Sequence, residues 1–276
     1  MSDSIRRLST PRALRLAVVG VACSLAFAAQ AHNAWLMPSS TVLSAPQWVT
    51  VDAAVTTDPF VFDHNALGVE KVAVTAPDGT PVTVENVAKG KLRSSFDLNL
   101  QQKGTYKIAI ANDGIFASYK LDGQQKRWRG NAADLEKELP ANATDVNVTQ
   151  SSSRLETFVT VGAPTQQVFA PTGTGLELIP LTHPNDLVKG ETAKFRFDID
   201  GKPAPNLEVT LMSSGSRYRT TANERPMKTD ANGVLAISWT EPGLYYIGAS
   251  AKDDKTTVKQ AKERRLGYAA TVEVLP

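Results

Sequence analysis

The chain has 276 residues, of which 42% are hydrophobic, and it carries a formal net charge of +2 and one cysteine. This length allows one large or two ordinary domains with buried cores, and the small net charge gives no support to nucleic-acid binding. A single cysteine excludes a disulfide within the chain and a metal site built from several thiolates.

The first 31 residues follow the plan of a secretory signal peptide. An arginine-rich start precedes an apolar run over 16–28 that is too short to span a bilayer comfortably, and Ala29 and Ala31 form the small-residue pattern that signal peptidase cuts. We therefore predict cleavage after Ala31 and a periplasmic mature protein that lacks Cys23. The removed segment holds four arginines and one aspartate, a net charge of +3, so the net charge of +2 for the whole chain becomes −1 for the mature protein.

Short runs of alternating polar and apolar residues, separated by turn residues, fill the first half of the mature chain. Such runs cover 47–55, 69–76, 94–100, 104–110 and 154–161. Residues 117–150 break the alternation and are predicted as an excursion of loop and short helix. These features predict an N-terminal β-sandwich domain over 32–162.

A second sandwich is predicted after a proline- and glycine-rich linker over 163–175. From 176 to 276 the order of strands and turns, including the Thr229-Asp230-Ala231-Asn232-Gly233 turn, is typical of an immunoglobulin-like or prealbumin-like module. The sequence therefore predicts an all-β protein of two sandwich domains after a cleaved signal peptide.

Cleavage after Ala31 would make His32 the first residue of the mature protein. A histidine at that position offers a metal its free α-amine and its imidazole in one chelate ring, which no internal histidine can do. The chain has only three histidines. His32 is therefore the leading candidate for a metal ligand.

Three sequence motifs carry a resemblance to a known family. They are Ala-His-x-x-Trp-Leu-x-Pro-Ser from Ala31, Gly-Leu-Glu-Leu-Ile-Pro-Leu-Thr-His-Pro-Asn-Asp-Leu from Gly175, and Thr-Asp-x-Asn-Gly followed by Trp-x-x-Pro-Gly-x-Tyr-Tyr-Ile. In combination they resemble domain-of-unknown-function family 4198, an exported bacterial family often labelled as a periplasmic component of nickel or cobalt uptake. The resemblance implies metal handling and carries His32 and His183 over as its motif residues.

The remaining candidate ligands come from residue chemistry. Imidazoles suit nickel, copper and zinc, and carboxylates can complete or orient the ligand set. We predict that His32 is joined by His64 or His183, with Asp63 or Asp58 nearby, and that three nitrogens in one plane favour Cu(II) or Ni(II).

The sequence thus predicts a non-enzymatic periplasmic protein that binds nickel, cobalt or copper for uptake or delivery, with a membrane transporter or outer-membrane receptor as its partner. A carbohydrate-binding or protein-interaction sandwich without metal is the main alternative. A copper monooxygenase is a further alternative, because an N-terminal histidine is its required feature. No sequence motif of a hydrolase, metalloprotease or nucleotide-binding enzyme is present.

Overall fold

The computed structural model describes residues 32–215 and 224–276. The predicted signal peptide and its cleavage site at Ala31 lie outside the described residues. The strands of the first half are β1 Asn33–Pro38, β2 Val42–Leu43, β3 Gln47–Thr56, β4 Asn65–Ala66, β5 Val72–Thr75, β6 Glu85–Lys89, β7 Ser94–Leu100, β8 Gly104–Leu121, β9 Gln124–Gly130 and β10 Thr144–Val161, with the helix α1 Ala132–Glu138 between the last two.

The second half begins with a short 3-10 helix, Gln167–Phe169. Its strands are β11 Leu176–Pro180, β12 Thr192–Ile199, β13 Lys202–Pro203, β14 Glu208–Ser213, β15 Glu224–Lys228, β16 Val234–Ser238, β17 Gly243–Asp253 and β18 Glu263–Val274. The all-β prediction is confirmed. No helix among the described residues is both long and apolar enough to cross a membrane.

Three sheets enclose two main hydrophobic cores. A five-stranded sheet, in the order β1-β3-β7-β6 with β4 beside β3, packs on the β5, β8 and β10 part of a nine-stranded sheet. A four-stranded sheet of β11, β12, β13 and β16 packs on its β14, β17 and β18 part. Strand β7 shows why these elements form, because Phe96, Leu98 and Leu100 face the core while the residues between them face outward.

The two cores share the nine-stranded sheet. Strands β10 and β18 pair in parallel from Thr149 beside Glu263 to Thr157 beside Thr271. The predicted linker, 163–175, connects β10 to β11 and contains the 3-10 helix. The division into two domains stays a prediction, and the structure adds that backbone hydrogen bonds run between the halves.

The predicted excursion over 117–150 is more regular than its sequence indicates. Strands β8 and β10 extend through it as one 18-residue antiparallel pair, and β9 adds to the edge of β8. Helix α1 lies within the predicted helical stretch and is capped by Asn131, whose side-chain oxygen accepts from the backbone N–H of Asp134. Strand β9 shows no alternation because its residues are almost all polar and five of the seven are exposed.

A buried carboxyl group lies where the two halves share their sheet. Glu156 on β10 is buried, and the Tyr268 hydroxyl on β18 donates to it at 2.8 Å. Burial raises the pKa of Glu156, while Lys107 and Arg154 nearby act in the opposite direction. The folded state therefore holds this proton more tightly than the unfolded state does.

Replacing Glu156 with glutamine should therefore change the pH dependence of stability. Because the carboxyl pKa is higher in the folded state than in the unfolded state, wild-type stability is lost as pH rises through the pKa of the folded state. Each pKa unit between the two states corresponds to about 1.4 kcal/mol of free energy of unfolding. The free energy of unfolding of E156Q relative to wild type should increase between pH 4 and pH 8. Urea denaturation at several pH values measures this difference, and a constant difference would contradict the prediction.

Candidate metal centre

Two of the three histidines meet at one end of the five-stranded sheet. The imidazole rings of His32 and His64 stack with their centroids 3.8 Å apart and their planes within 11°. Both residues are exposed to solvent. The structure therefore brings together the leading candidate ligand and one of its two proposed partners.

Strand register explains this meeting. His32 directly precedes β1, whose Asn33 pairs with Thr56 at the end of β3. His64 directly precedes β4, whose Asn65 pairs with Val55 of β3. The end of β3 is thus flanked by the two strands that carry the histidines.

The connection over 57–63 is held against this end of the sheet by hydrogen bonds. The Asn33 side chain donates to the carbonyl of Thr57 at 2.9 Å. The indole N–H of Trp35 donates to the Thr56 hydroxyl at 2.8 Å, and that hydroxyl donates to the carbonyl of Asp58 at 2.6 Å. These bonds fix the path of the chain that leads to His64.

An aromatic cluster packs beneath the same connection. Trp35 is fully buried, and the ring centroids of Phe60 and Phe62 lie 5.4 and 5.2 Å from its own. Phe60 has a φ of 67°, a left-handed conformation that is strained for a bulky residue. The guanidinium of Arg93 lies 4.8 Å from the centre of the Phe62 ring. Packing of these rings therefore compensates for a strained turn just before His64.

Asp63 has a local structural role here. Its Oδ1 accepts from the backbone N–H of Thr57 at 3.2 Å and so closes the connection on itself. Asp58, the other predicted carboxylate, accepts hydrogen bonds through its backbone carbonyl from Thr56 and Val61. We therefore assign Asp63 to positioning of the connection beside His64.

His183 is buried, and both of its ring nitrogens are engaged. Its Nδ1 accepts from the backbone N–H of Asn185 at 3.1 Å, which leaves Nε2 protonated to donate to the Thr105 hydroxyl at 2.9 Å. Burial lowers the pKa of His183, while the Thr165 carbonyl and Asp186 act in the opposite direction. The neutral ring is a structural hydrogen-bonding group.

His183 also lies far from His32, at the opposite end of β1. Thr41, just beyond that strand, accepts a backbone hydrogen bond from Thr160, and the Thr160 hydroxyl donates to Asn185 beside His183. Six residues of β1 at about 3.3 Å each span about 20 Å. The structure therefore does not bring His183 beside His32, because β1 separates the two, and a ligand role for His183 stays a prediction.

No group of three or more His, Cys, Asp or Glu side chains within 32–215 and 224–276 is placed to hold a metal ion. His32 and His64 together offer two imidazoles. A third nitrogen can come from the α-amine that cleavage after Ala31 would expose. Trp35 and Thr56 support this pair, and the only sequence signal for them is that Trp35 belongs to the same N-terminal motif as His32.

Comparisons with known proteins give one family and remote structural likenesses. The model of the family described as "Domain of unknown function (DUF4198)" matches residues 29–253. No curated protein matches the chain by sequence.

Among solved structures, the chain is similar to the D0–D1 domain of intimin, with 13% identity, coverage of 87% of this chain and 97% of that one, and a TM-score of 0.22. It is also similar to the Yersinia pseudotuberculosis adhesin InvE, with 14% identity, coverage of 88% and 60%, and a TM-score of 0.23. These scores carry no argument about function.

Proposed function

The chain belongs to the DUF4198 family, and for this member we propose that the mature protein binds a divalent transition metal ion through His32 and His64 and carries it as cargo. The supporting observation is the proximity of two exposed imidazoles, from two of the three histidines in the chain, with ring centroids 3.8 Å apart. Because imidazole lone pairs lie in the ring plane, one of the stacked rings turns when both bind the same ion. Imidazole nitrogen is a usual ligand for nickel, copper and zinc.

The α-amine of His32 completes this proposal. Two imidazoles are few ligands for a transition metal ion, and the described residues supply no third side chain beside them. An amine and an imidazole from one residue form a chelate ring, and His64 adds another nitrogen. Three nitrogen donors suit Cu(II) or Ni(II), whose preferred geometry is tetragonal.

The position of the histidine pair suits the transport of a metal ion better than it suits catalysis. His32 and His64 lie at an exposed sheet end, where a bound ion can be passed to another protein. We propose that the ion is taken up or delivered in the periplasm and that a membrane transporter or outer-membrane receptor accepts it.

A metal titration tests the proposal. Protein that starts at His32 is titrated with Cu(II), Ni(II), Co(II) and Zn(II), next to the same protein acetylated on the α-amine of His32. Acetylation turns the α-amine into an amide without adding a new amine, so the affinity should fall by roughly a hundredfold or more, because loss of a mere supporting partner of a ligand already costs about 10–100-fold. Binding should also weaken in acid, because a protonated imidazole has no lone pair to donate.

Two variants complete this test. His64→Ala should weaken metal binding, whereas His183→Gln should leave the affinity unchanged because His183 lies at the other end of β1. Equal affinity of the acetylated and unacetylated proteins, or no binding by either, would overturn the proposed site.

A further inference from the structure

A tryptophan is exposed on the outer face of the five-stranded sheet. Trp48 on β3 is 52% exposed, whereas Trp35 and Trp239 are almost completely buried. Its neighbours Val49 and Val51 face the first core, so alternation along the strand directs Trp48 to the opposite face. Its indole therefore offers a large aromatic face and a polar N–H to a ligand at the surface.

Polar side chains lie next to Trp48 on the same face of the sheet. Asn99 on β7 pairs directly with Trp48, and its side-chain oxygen accepts from the amide of Gln101. The next pair along the strands joins Thr50 and Asp97, with the Thr50 hydroxyl 2.6 Å from the carboxylate. We call Trp48, Thr50, Asp97, Asn99 and Gln101 the outer platform.

The outer platform is held in place by its own hydrogen bonds. Asp97 accepts from Thr50 and also from the Asn86 side chain at 2.9 Å. These donors lower the pKa of Asp97, so its carboxylate is charged at neutral pH. The side-chain oxygen of Asn99 accepts a hydrogen bond within the platform, whereas its amide N–H groups donate to no group within the described parts of the chain.

This combination matches the surface of a sugar. One face of a pyranose ring with equatorial hydroxyls carries only C–H groups, whose positive edge suits the negative face of an indole ring. The hydroxyls around the sugar ring can then form hydrogen bonds with the amide and carboxylate groups of the platform. In binding sites, such polar groups fix the orientation of the ligand. A flat platform suits a chain of sugars rather than a single one.

Other ligand classes fit the outer platform less well. A single apolar side chain among polar ones offers too little apolar area for a membrane or a stable protein interface. Asp97 is the only charged residue of the platform, which does not suit nucleic acid. We propose that the outer platform binds oligosaccharides or polysaccharides of pyranose units with equatorial hydroxyls, stacked on Trp48.

This proposal is independent of the metal centre. Trp48 lies near the start of β3 and the histidines flank its end, so eight residues at about 3.3 Å separate them by about 26 Å. Sugar binding should therefore persist in the presence of a chelator.

The test uses cellohexaose and chitohexaose in calorimetric titrations and cellulose and chitin in pull-down assays. Wild-type protein should bind at least one of these glycans saturably, with a change in tryptophan fluorescence, and Trp48→Ala should bind at least about tenfold more weakly and lose that change. Asn99→Ala should weaken binding by a smaller factor.

Leu181→Ala is the matched control, because Leu181 is also an exposed apolar residue, at 54%, and lies outside the outer platform. It should bind like wild type. Thermal unfolding of each variant confirms that it is folded. Absence of glycan binding by wild type, or equal binding by Trp48→Ala, would overturn the proposal, and so would self-association of the wild type that Trp48→Ala abolishes.

Discussion

Trp35→Ala should lower the free energy of unfolding by about 3–5 kcal/mol, the range for removing a large buried aromatic side chain. Trp35 is fully buried and packs against Met212 and Tyr246 of the second half as well as against Phe60 and Phe62. The substitution leaves a cavity among these groups. Urea denaturation followed by circular dichroism measures the change.

The same substitution should affect the histidine pair. The Trp35 indole donates to Thr56, and the rings of Phe60 and Phe62 rest against it, so its removal frees the connection that leads to His64. The metal affinity of folded Trp35→Ala should therefore be lower than that of wild type.

Trp48→Ala is the matched control for stability. Trp48 lies on the same face of the five-stranded sheet but is half exposed, so its removal should cost less than about 1 kcal/mol, as for most surface substitutions. Comparable destabilisation by the two substitutions would contradict the role assigned to Trp35.

His183→Ala should lower the free energy of unfolding by about 2–4 kcal/mol, because it removes buried volume and leaves a buried backbone N–H without its acceptor. The backbone N–H of Asn185 loses its acceptor, and the hydroxyl of Thr105 loses one hydrogen bond but keeps those to Thr160 and Thr165. Thr105 lies on β8, so His183 ties a segment of the second half to the first sandwich. Chemical denaturation at pH 7.5 measures the effect.

The contribution of His183 should also depend on pH. Its pKa is lowered from the ordinary 6.5 by burial, so the unfolded chain takes up the proton more readily than the folded protein does. The stabilisation is fully present above pH 6.5 and is lost as pH falls below that value towards the lower folded pKa. Protonation of Nδ1 would also place two donors face to face, since that nitrogen accepts from Asn185.

His183→Gln and His64→Ala separate this effect from other titrations. His183→Gln can still donate and accept hydrogen bonds, so it should lose less stability than His183→Ala and should lack the part of the pH dependence due to His183. His64→Ala removes an exposed histidine at the other end of β1 and is the control for loss of an imidazole that contacts neither Thr105 nor Asn185. A His183→Gln profile identical to wild type would show that His183 does not titrate on unfolding.

The motif around His183 illustrates a limit of prediction from sequence. His183 and Asn185 lie in a recognisable motif. The motif indicates that these residues matter, but not whether they bind a metal or stabilise the fold. The structure shows that the motif joins the halves through Thr105 and Thr160. A metal ligand and a buried hydrogen-bonding histidine have the same sequence signature, and only the surroundings of the two ring nitrogens distinguish them.

The all-β architecture follows from local patterns, because alternation with a period of two and turn residues at regular spacing act within a few residues. The family resemblance and the prominence of His32 also follow from short motifs. Tertiary structure decided which residues surround His32. His64 is 32 positions away in sequence, and strand pairing on both sides of β3 brings it to His32. His183 stays apart because β1 runs between them, and no local pattern records the order of strands in space.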